Sequence, residues 1–340
     1  MALGARLPVH ILTGFLGSGK STLLKQILQS DQYANSMLIV NEIGEIGIDH
    51  ALLEQSDDET LLLDNGCMCC VLRGDLQELL VSLAMKRARG TIPSFDRLFI
   101  ETSGLADPTP IIHTLYSDQA ISHEYELASV TTLLDPLHLE NLSVDPYVSE
   151  AQLACGDVIV ISKTDAATPD TIARAEALAR RINPGAVMLR SFFGSVASEV
   201  ISDRHRIIDR QLGEIGGAGG QPHQHDGPGH VRHAHVYTTT LRMHERVNKR
   251  VFEAFLKCLL DLQRDNVVRI KGVMCFADEP GQKLVQGVGH TLDKLEDVEM
   301  SSLASDESAL VLIFREDIGE QVKALWAQLE RLGVSQAVQP

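Results

Sequence analysis

The segment Gly14–Ser21, GFLGSGKS, restricts the fold of this chain more than any other part of the sequence. It fits the pattern G-x-x-x-x-G-K-[ST] and lies between an apolar run, Val9–Thr13, and a stretch with helical spacing. In that context the glycines allow backbone N–H groups to surround phosphate groups at the start of a helix. A glycine-rich turn that holds a lysine by chance is the alternative, and the flanking strand and helix argue against it. The segment therefore predicts a phosphate-binding loop.

The roles within this loop follow from side-chain chemistry. Lys20 is predicted to neutralise the β- and γ-phosphates of a nucleotide and to act in catalysis, and the Ser21 hydroxyl to bind Mg²⁺. The predicted phosphate-binding residues are Gly14, Phe15, Leu16, Gly17, Ser18, Gly19, Lys20, Ser21 and Thr22.

Short β-branched or leucine-rich runs alternate with helical patterns over residues 8–195, which is typical of an α/β fold with a mostly parallel sheet and crossover helices. Several runs are apolar throughout, as expected for strands covered on both faces. The predicted strands are Val9–Thr13, Met37–Asn41, Leu61–Leu63, Leu98–Glu101, Val130–Leu134, Val158–Ser162 and Ala186–Leu189. Helices are predicted after Lys20, near Asp75 and from Pro169 to Ile182.

The composition changes to Gly, His and Pro over residues 213–235, where no hydrophobic periodicity is present. This predicts a flexible linker between a P-loop domain over residues 1–212 and a smaller α+β domain over residues 236–340. The elements predicted in the smaller domain are strands at Val236–Leu241, Val267–Phe276, Lys283–Gly287 and Leu310–Phe314 and helices at Asn248–Leu262 and Ile318–Leu332.

The charge balance argues against some classes of partner. Acidic residues outnumber basic ones by 46 to 30, and the net charge of −16 repels nucleic-acid backbones and anionic membranes. The first apolar run has no small-residue cleavage site, and no stretch of about 18 apolar residues occurs. We therefore expect a cytoplasmic protein without a signal peptide, a membrane span or a nucleic-acid partner.

A second nucleotide-associated pattern ends at Glu101. Residues 97–101 form an apolar run that finishes in a carboxylate, which is the Walker B arrangement with Glu in place of the usual Asp. The longer side chain favours a Mg²⁺ ion contacted through a water molecule. A cap on the following turn is the alternative. Glu101 is thus predicted as a metal ligand and, with Lys20, as a catalytic residue.

The stretch Ser162-Lys163-Thr164-Asp165 follows a predicted strand and is similar to the N-K-x-D loop that reads guanine. The carboxylate of Asp165 can accept hydrogen bonds from the ring N–H and the amino group of guanine, a pair that adenine lacks. Ser162 replaces the usual Asn and has a shorter reach, so the sequence favours guanine without settling the choice. The predicted base-binding residues are Ser162, Lys163 and Asp165; a helix cap at Asp165 is the alternative.

Three of the six cysteines, Cys67, Cys69 and Cys70, lie within four positions. In a protein expected in the cytoplasm, this density indicates metal or redox chemistry and not a disulfide scaffold. Three thiolates can hold one soft ion such as Zn²⁺ or Cu(I). Tetrahedral Zn²⁺ would keep a fourth position open, through which the ion could pass to an acceptor. Buried core cysteines and a redox pair are the alternatives.

Acids and histidines supply further candidate ligands. Glu42, Glu45 and Asp49 follow the second predicted strand, where GTPases have a mobile switch segment, and are candidates for Mg²⁺ or a transported ion. Acids in such a loop are otherwise simply solvated. Five linker histidines could gather Zn²⁺, Co²⁺ or Ni²⁺ weakly, or could be a compositional bias of a solvated segment. They are His223, His225, His230, His233 and His235.

Taken in order, these motifs resemble those of CobW-like GTPases, which are grouped with HypB, UreG and MeaB among P-loop proteins. The matching stretches are GFLGSGKST at 14–22, NEIGEIGID at 41–49, NGCMCC at 65–70, ETSGLADPTP at 101–110 and SKTD at 162–165. The segment 267–291, with RIKG at 269–272 and VGH at 288–290, looks like the CobW C-terminal domain. Met68 stands where that family often has Ile, and Ser162 stands where it has Asn.

The resemblance implies a slow GTPase that uses Mg²⁺ and holds Zn²⁺ or Co²⁺ for a client metalloprotein. In this hypothesis GTP orders the loops at 41–49 and 66–70, which bind the ion, and hydrolysis relaxes them at the client. The resemblance implies that the ion is held by Cys67, Cys69 and Cys70, and the other predicted metal ligands are Ser21, Glu42, Asp49 and Glu101. A non-catalytic metal-storage protein and a P-loop kinase are the rival hypotheses, and the oligomeric state, with a homodimer as one option, is left open.

Overall fold

The computed structural model of the chain describes residues 6–33, 35–41, 60–62, 68–71, 75–192, 236–299 and 306–337, together with 207 and 210. These residues divide into two compact units. The first is the chain up to Ala179 with a segment that begins at Met188, and the second is Arg180–Val187 with the chain from residue 236 onward. The predicted linker, 213–235, lies outside the described residues. The predicted boundaries at its two ends stay predictions.

Among the described residues, the larger sheet contains eight strands. In chain order they are β1 (Leu7–Gly14), β2 (Ser36–Asn41), β3 (Thr60–Leu62), β4 (Met68–Val71), β5 (Arg97–Thr102), β6 (Tyr125–Leu134), β7 (Val158–Ile161) and β8 (Val187–Arg190). Their spatial order is β3-β4-β2-β5-β1-β6-β7-β8, with β1 flanked by β5 and β6. The pairs from β4 through β2, β5, β1 and β6 to β7 are parallel, as predicted, whereas β3 runs antiparallel to β4.

Helices connect these strands. The α-helices are α1 (Lys20–Leu28), α2 (Leu76–Ala88), α3 (Thr109–Ser117), α4 (Gln119–Glu124), α5 (Pro146–Cys155) and α6 (Pro169–Ile182). The predicted helices after Lys20, near Asp75 and at 169–182 are all present, and Asp75 caps α2 by accepting from the N–H of Gln77 at 2.8 Å. The sequence patterns do not predict helices α3 to α5. No helix among the described residues is long and apolar enough to cross a lipid bilayer.

The smaller unit contains an antiparallel sheet with two helices. Its elements are β9 (Tyr237–Met243), α7 (Lys249–Leu262), β10 (Val267–Met274), β11 (Gln282–Val288), β12 (Thr291–Leu292), β13 (Glu296–Val298), β14 (Ser308–Phe314) and α8 (Gly319–Ala337). The strand order is β12-β11-β10-β14-β9, and β13 pairs with β11. Phe255 of α7 and Trp326 of α8 meet edge to face at 5.3 Å within the hydrophobic core. This arrangement confirms the predicted α+β class.

His10 is a buried histidine in the middle of β1. It is 3% exposed, its Nδ1 lies 2.8 Å from Ser129 Oγ, and its ring stacks on Phe99. Burial, with a smaller effect of the Arg97 charge, lowers the pKa of His10 from 6.5 to about 3. Between these two values the unfolded chain takes up a proton at His10 that the folded chain does not.

We therefore expect the free energy of unfolding to fall as the pH drops from 6.5 towards 3, by up to about 1.4 kcal/mol per pH unit for this group. His10→Gln keeps a hydrogen-bonding side chain and removes the titration. Urea unfolding at several pH values should show the wild type losing stability faster than the variant below pH 6.5. His123→Gln, at an exposed position on α4, is the control. Parallel losses in wild type and His10→Gln would contradict the expectation.

Candidate nucleotide and metal site

The loop between β1 and α1 has the backbone conformation that a phosphate-binding loop needs. Gly14, Gly17 and Gly19 have positive φ angles of 137°, 71° and 97°, which residues with a Cβ rarely adopt. A Cβ on Gly14 would also lie 2.5 Å from the carbonyl oxygen of Leu133. Helix α1 begins after Gly19 and has no side-chain cap. Its first backbone N–H groups are therefore suited to bind an anion.

Two polar side chains of this loop fit a bound phosphate chain. Lys20 is 8% exposed, and its Nζ donates to the carbonyl oxygens of Gly14 at 2.8 Å and Phe15 at 3.2 Å. Ser18 is 1% exposed, and its hydroxyl has no hydrogen-bond partner among the described residues. A buried polar group without a partner is costly. A phosphate oxygen is the kind of acceptor that both side chains can use.

The Walker B carboxylate meets the serine of the phosphate loop. Strand β5 lies beside β1, and Glu101 occupies the position paired with Leu12. Ser21 Oγ donates to Glu101 Oε1 at 2.6 Å, although the two residues are 80 positions apart. Both side chains present oxygen, which is the ligand that Mg²⁺ prefers. This contact brings two of the predicted Mg²⁺ ligands together, and the metal-binding role of Glu101 stays a prediction.

The loop after β7 is hydrogen-bonded to the ends of two neighbouring strands. Ser162 donates to the carbonyl oxygen of Leu134 from its N–H at 2.9 Å and from its hydroxyl at 3.3 Å. Thr164 donates to the carbonyl oxygen of Ser191 from its N–H at 3.2 Å and from its hydroxyl at 2.6 Å. The serine that replaces the usual Asn is therefore 4% exposed and serves to hold the loop to the end of β6.

Lys163 and Asp165 complete this loop. Lys163 has a left-handed φ of 51°, and its Nζ pairs with Asp135 Oδ2 at 2.7 Å. Asp135 was not singled out in the sequence, yet it is 8% exposed and fixes the lysine. Asp165 is exposed to solvent, as a base-reading carboxylate must be. Thr168, whose hydroxyl accepts from the N–H of Thr171 at 3.3 Å, occupies the cap position of α6. The base-reading role of Asp165 stays a prediction.

Comparison with known protein families decides how this site is classified. Residues 8–190 match the description "CobW/HypB/UreG, nucleotide-binding domain", and residues 236–332 match "Cobalamin synthesis protein cobW C-terminal domain". The chain belongs to the CobW/HypB/UreG family. The family resemblance seen in the sequence is thereby confirmed over both units.

Individual relatives agree with this assignment. The chain is 28% identical over 340 residues to the zinc chaperone YjiA of Escherichia coli, covering 95% of this chain and 98% of that protein. It is 29% identical over 345 residues to the zinc chaperone CobW of Pseudomonas aeruginosa, covering 92% and 88%. The crystal structure of Zn(II)-bound YjiA GTPase from E. coli has a TM-score of 0.72 at 26% identity, covering 96% of this chain and 99% of that one. The predicted fold and the predicted GTPase are confirmed.

Cys69 and Cys70 of the cysteine motif lie on β4, which is on the far side of β2 from the phosphate loop. Residues 68–71 form β4, in which Cys69 pairs with Leu38 and Cys70 with Ile39 of β2. The prediction of a loop over 66–70 is therefore wrong for Met68–Cys70, because this segment extends the sheet. Glu42, Glu45, Asp49 and Cys67 lie outside the described residues. The described residues contain no cluster of His, Cys, Asp and Glu side chains suited to a metal ion.

Proposed function

We propose that the chain is a GTP-dependent metal carrier that binds Zn²⁺, with Co²⁺ as a substitute, and delivers it to a client metalloprotein. The cargo ligands in this proposal are Cys67, Cys69 and Cys70, which have the softness that Zn²⁺ favours. Two relatives that align over nearly the whole chain are named zinc chaperones. The homodimer and the lack of a nucleic-acid partner remain predictions from the sequence.

The observation that carries the proposal is a hydrogen-bonded path between the cysteine motif and the Walker B strand. Cys70 of β4 pairs with Ile39 of β2, which pairs with Ile100 of β5, one residue before Glu101. A strand that pairs on both sides cannot shift without disturbing its neighbours. A change at the end of β5 can therefore bias the cysteine segment through β2.

The distance across the same sheet indicates that the nucleotide and the cargo ion do not share ligands. Ile11 of β1 continues the row of Cys70, Ile39 and Ile100. Cys70 and Ile11 are therefore three strand spacings apart, which is about 14 Å because neighbouring strands lie about 4.8 Å apart. The phosphate loop begins beyond that row, at Gly14. Coupling must therefore run through a change in protein conformation, for which residues 42–49, directly after β2, are the proposed segment.

Each nucleotide-site residue has a distinct task in the proposed cycle. Lys20 stabilises the negative charge that develops on the phosphates during hydrolysis. Asp165 selects guanine. Ser21 and Glu101 would hold Mg²⁺, which when bound supplies positive charge beside the phosphates. Asp49 and Glu42 are proposed as further acidic ligands near this position. The catalytic role of Glu101 is to orient the groups around Ser21.

We expect Zn²⁺ to bind the cysteine motif about 10²- to 10³-fold more tightly with a GTP analogue than with GDP. This factor follows if the binding-competent conformation is about 0.1–1% populated with GDP and predominates with the analogue. Titration against a competing chelator at matched free Mg²⁺ measures both affinities. By reciprocity, Zn²⁺ should tighten binding of the analogue by the same factor. Co²⁺ adds a spectroscopic check, since thiolate charge-transfer absorption reports cysteine ligation.

Two cysteine variants make this experiment specific. Cys69→Ser should abolish the tight site, because a hydroxyl is a poor soft ligand. Cys258→Ser changes a partly exposed cysteine of α7 in the smaller unit and should leave binding unchanged. Equal Zn²⁺ affinities in the two nucleotide states, with Cys69→Ser still losing the metal, would indicate storage without a switch. GTP turnover that does not respond to Zn²⁺ would point the same way.

A further inference from the structure

Gln152 joins helix α5 to the turn that follows Glu101. The side chain is 1% exposed. Its Nε2 donates to the carbonyl oxygen of Gly104 at 3.2 Å and to that of Ala106 at 3.0 Å. Both N–H groups of the side-chain amide therefore donate to one short segment, 48 and 46 positions away in the chain.

This segment lies between the Walker B strand and the phosphate loop. Ser103–Ala106 is a turn closed by a hydrogen bond from the N–H of Ala106 to the carbonyl oxygen of Ser103 at 3.0 Å. Gly104 packs so closely on the phosphate loop that a Cβ there would lie 2.6 Å from the backbone nitrogen of Leu16. The turn is therefore packed directly against the phosphate loop at Leu16.

The two hydrogen bonds also orient the backbone of the turn. In a trans peptide the carbonyl group and the following N–H point in opposite directions. Because the carbonyl of Gly104 points towards Gln152, the N–H of Leu105 points away from α5. That N–H donates a long hydrogen bond of 3.5 Å to Ser103 Oγ. The Gln152 amide therefore sets the direction of this donor, close to the phosphate loop.

Helix α5 is a rigid support for this amide. Every residue from Val148 to Cys155 is buried, and Asp145 caps the helix by accepting from the N–H of Val148 at 3.1 Å. The backbone carbonyl oxygen of Gln152 also accepts a hydrogen bond from the hydroxyl of Thr132 at 2.6 Å. A side chain held in this way can position its partners with little freedom.

We propose that Gln152 is a positioning residue for GTP hydrolysis, which acts by holding the turn Ser103–Ala106 in register with Glu101 and the phosphate loop. The inference adds a residue to the GTPase reaction and does not depend on metal transport. It predicts that the loss of the amide donors slows the chemical step. It also predicts that nucleotide affinity is preserved, because the Gln152 amide donates to the carbonyl oxygens of Gly104 and Ala106 in this turn.

The decisive variant is Gln152→Glu, which keeps the shape but replaces the two donors by a carboxylate. We expect kcat to fall about 10- to 100-fold, the size of effect that a small misplacement near the reacting groups produces, with an unchanged Kd for a fluorescent GDP analogue. The introduced carboxyl is buried beside two carbonyl oxygens, and both effects raise its pKa. Once protonated it donates one hydrogen bond again. The kcat of the variant relative to wild type should therefore rise as the pH is lowered.

Two further variants separate positioning from general stability. Leu83→Ala removes buried apolar volume from α2 and leaves the Gln152 amide in place, and we expect lower thermal stability with an unchanged kcat. Gln152→Met is apolar and of similar length, so its kcat should fall without recovering at low pH. If the glutamate variant does not fold, the methionine variant alone tests whether the amide positions the turn. All rates are normalised to the GDP-binding fraction. Wild-type kcat in folded Gln152→Met, or an equal loss in Leu83→Ala, would overturn the proposal.

Discussion

Lys20→Ala should lower GTP hydrolysis by about 10²- to 10³-fold or more, which puts turnover below detection in a phosphate-release assay. The ammonium group of Lys20 is held at the phosphate loop by the carbonyl oxygens of Gly14 and Phe15. It can therefore act on the phosphates without a large rearrangement of the side chain. Loss of one preorganised charge that stabilises the transition state costs on the order of 10²–10³-fold or more.

The fold should survive this substitution. The alanine removes two hydrogen bonds to loop carbonyls, each worth about 1 kcal/mol, and leaves the apolar core of α1 in place. Circular dichroism and thermal unfolding report the fold. Lys25→Ala, at an exposed position of the same helix, removes the same charge away from the loop and should hydrolyse GTP at the wild-type rate. Normal turnover in Lys20→Ala would remove the phosphate-loop assignment.

The parts of the fold that the sequence predicts are those with strong local signals. The run Val158–Ile161 is apolar at every position and is a fully buried strand, because a parallel strand is covered on both faces. Asp75 and Pro169 mark helix starts because their effects on the backbone are local. The phosphate loop is predicted for the same reason, since three of its glycines adopt conformations that other residues avoid.

The sequence does not predict the features that depend on contacts between distant segments. Helix α5 has no amphipathic pattern, because Val148–Cys155 are all buried and no face is left polar. The four residues of β4 are too few, and too rich in cysteine, to be read as a strand. Gln152 and Asp135 are ordinary polar residues in the sequence. Their contacts with Gly104 and Lys163 exist only because the sheet brings these elements together.

Asp165→Asn should weaken GTP binding on the order of 10²- to 10⁴-fold and leave ATP binding nearly unchanged. The carboxylate can accept from both the ring N–H and the amino group of guanine, whereas an amide presents a donor to one of them. A site left with mispaired polar groups loses affinity by such factors. Because Asp165 is exposed, the substitution should not affect folding. Competition binding of GTP and ATP against a fluorescent nucleotide measures both effects.

A third nucleotide, XTP, distinguishes recognition of the base by Asp165 from an effect of Asp165 on the loop itself. Xanthine carries a carbonyl group where guanine carries its amino group, so the amide of Asp165→Asn can donate to it and still accept from the ring N–H. The variant should therefore bind XTP more tightly than the wild type does. Asp170→Asn removes an exposed acid in the first turn of α6 and should change neither preference. Equal losses for GTP, ATP and XTP would mean that Asp165 acts on the loop and not on the base. In that case any specificity for guanine would have to come from other residues at the carboxyl ends of β6 and β8.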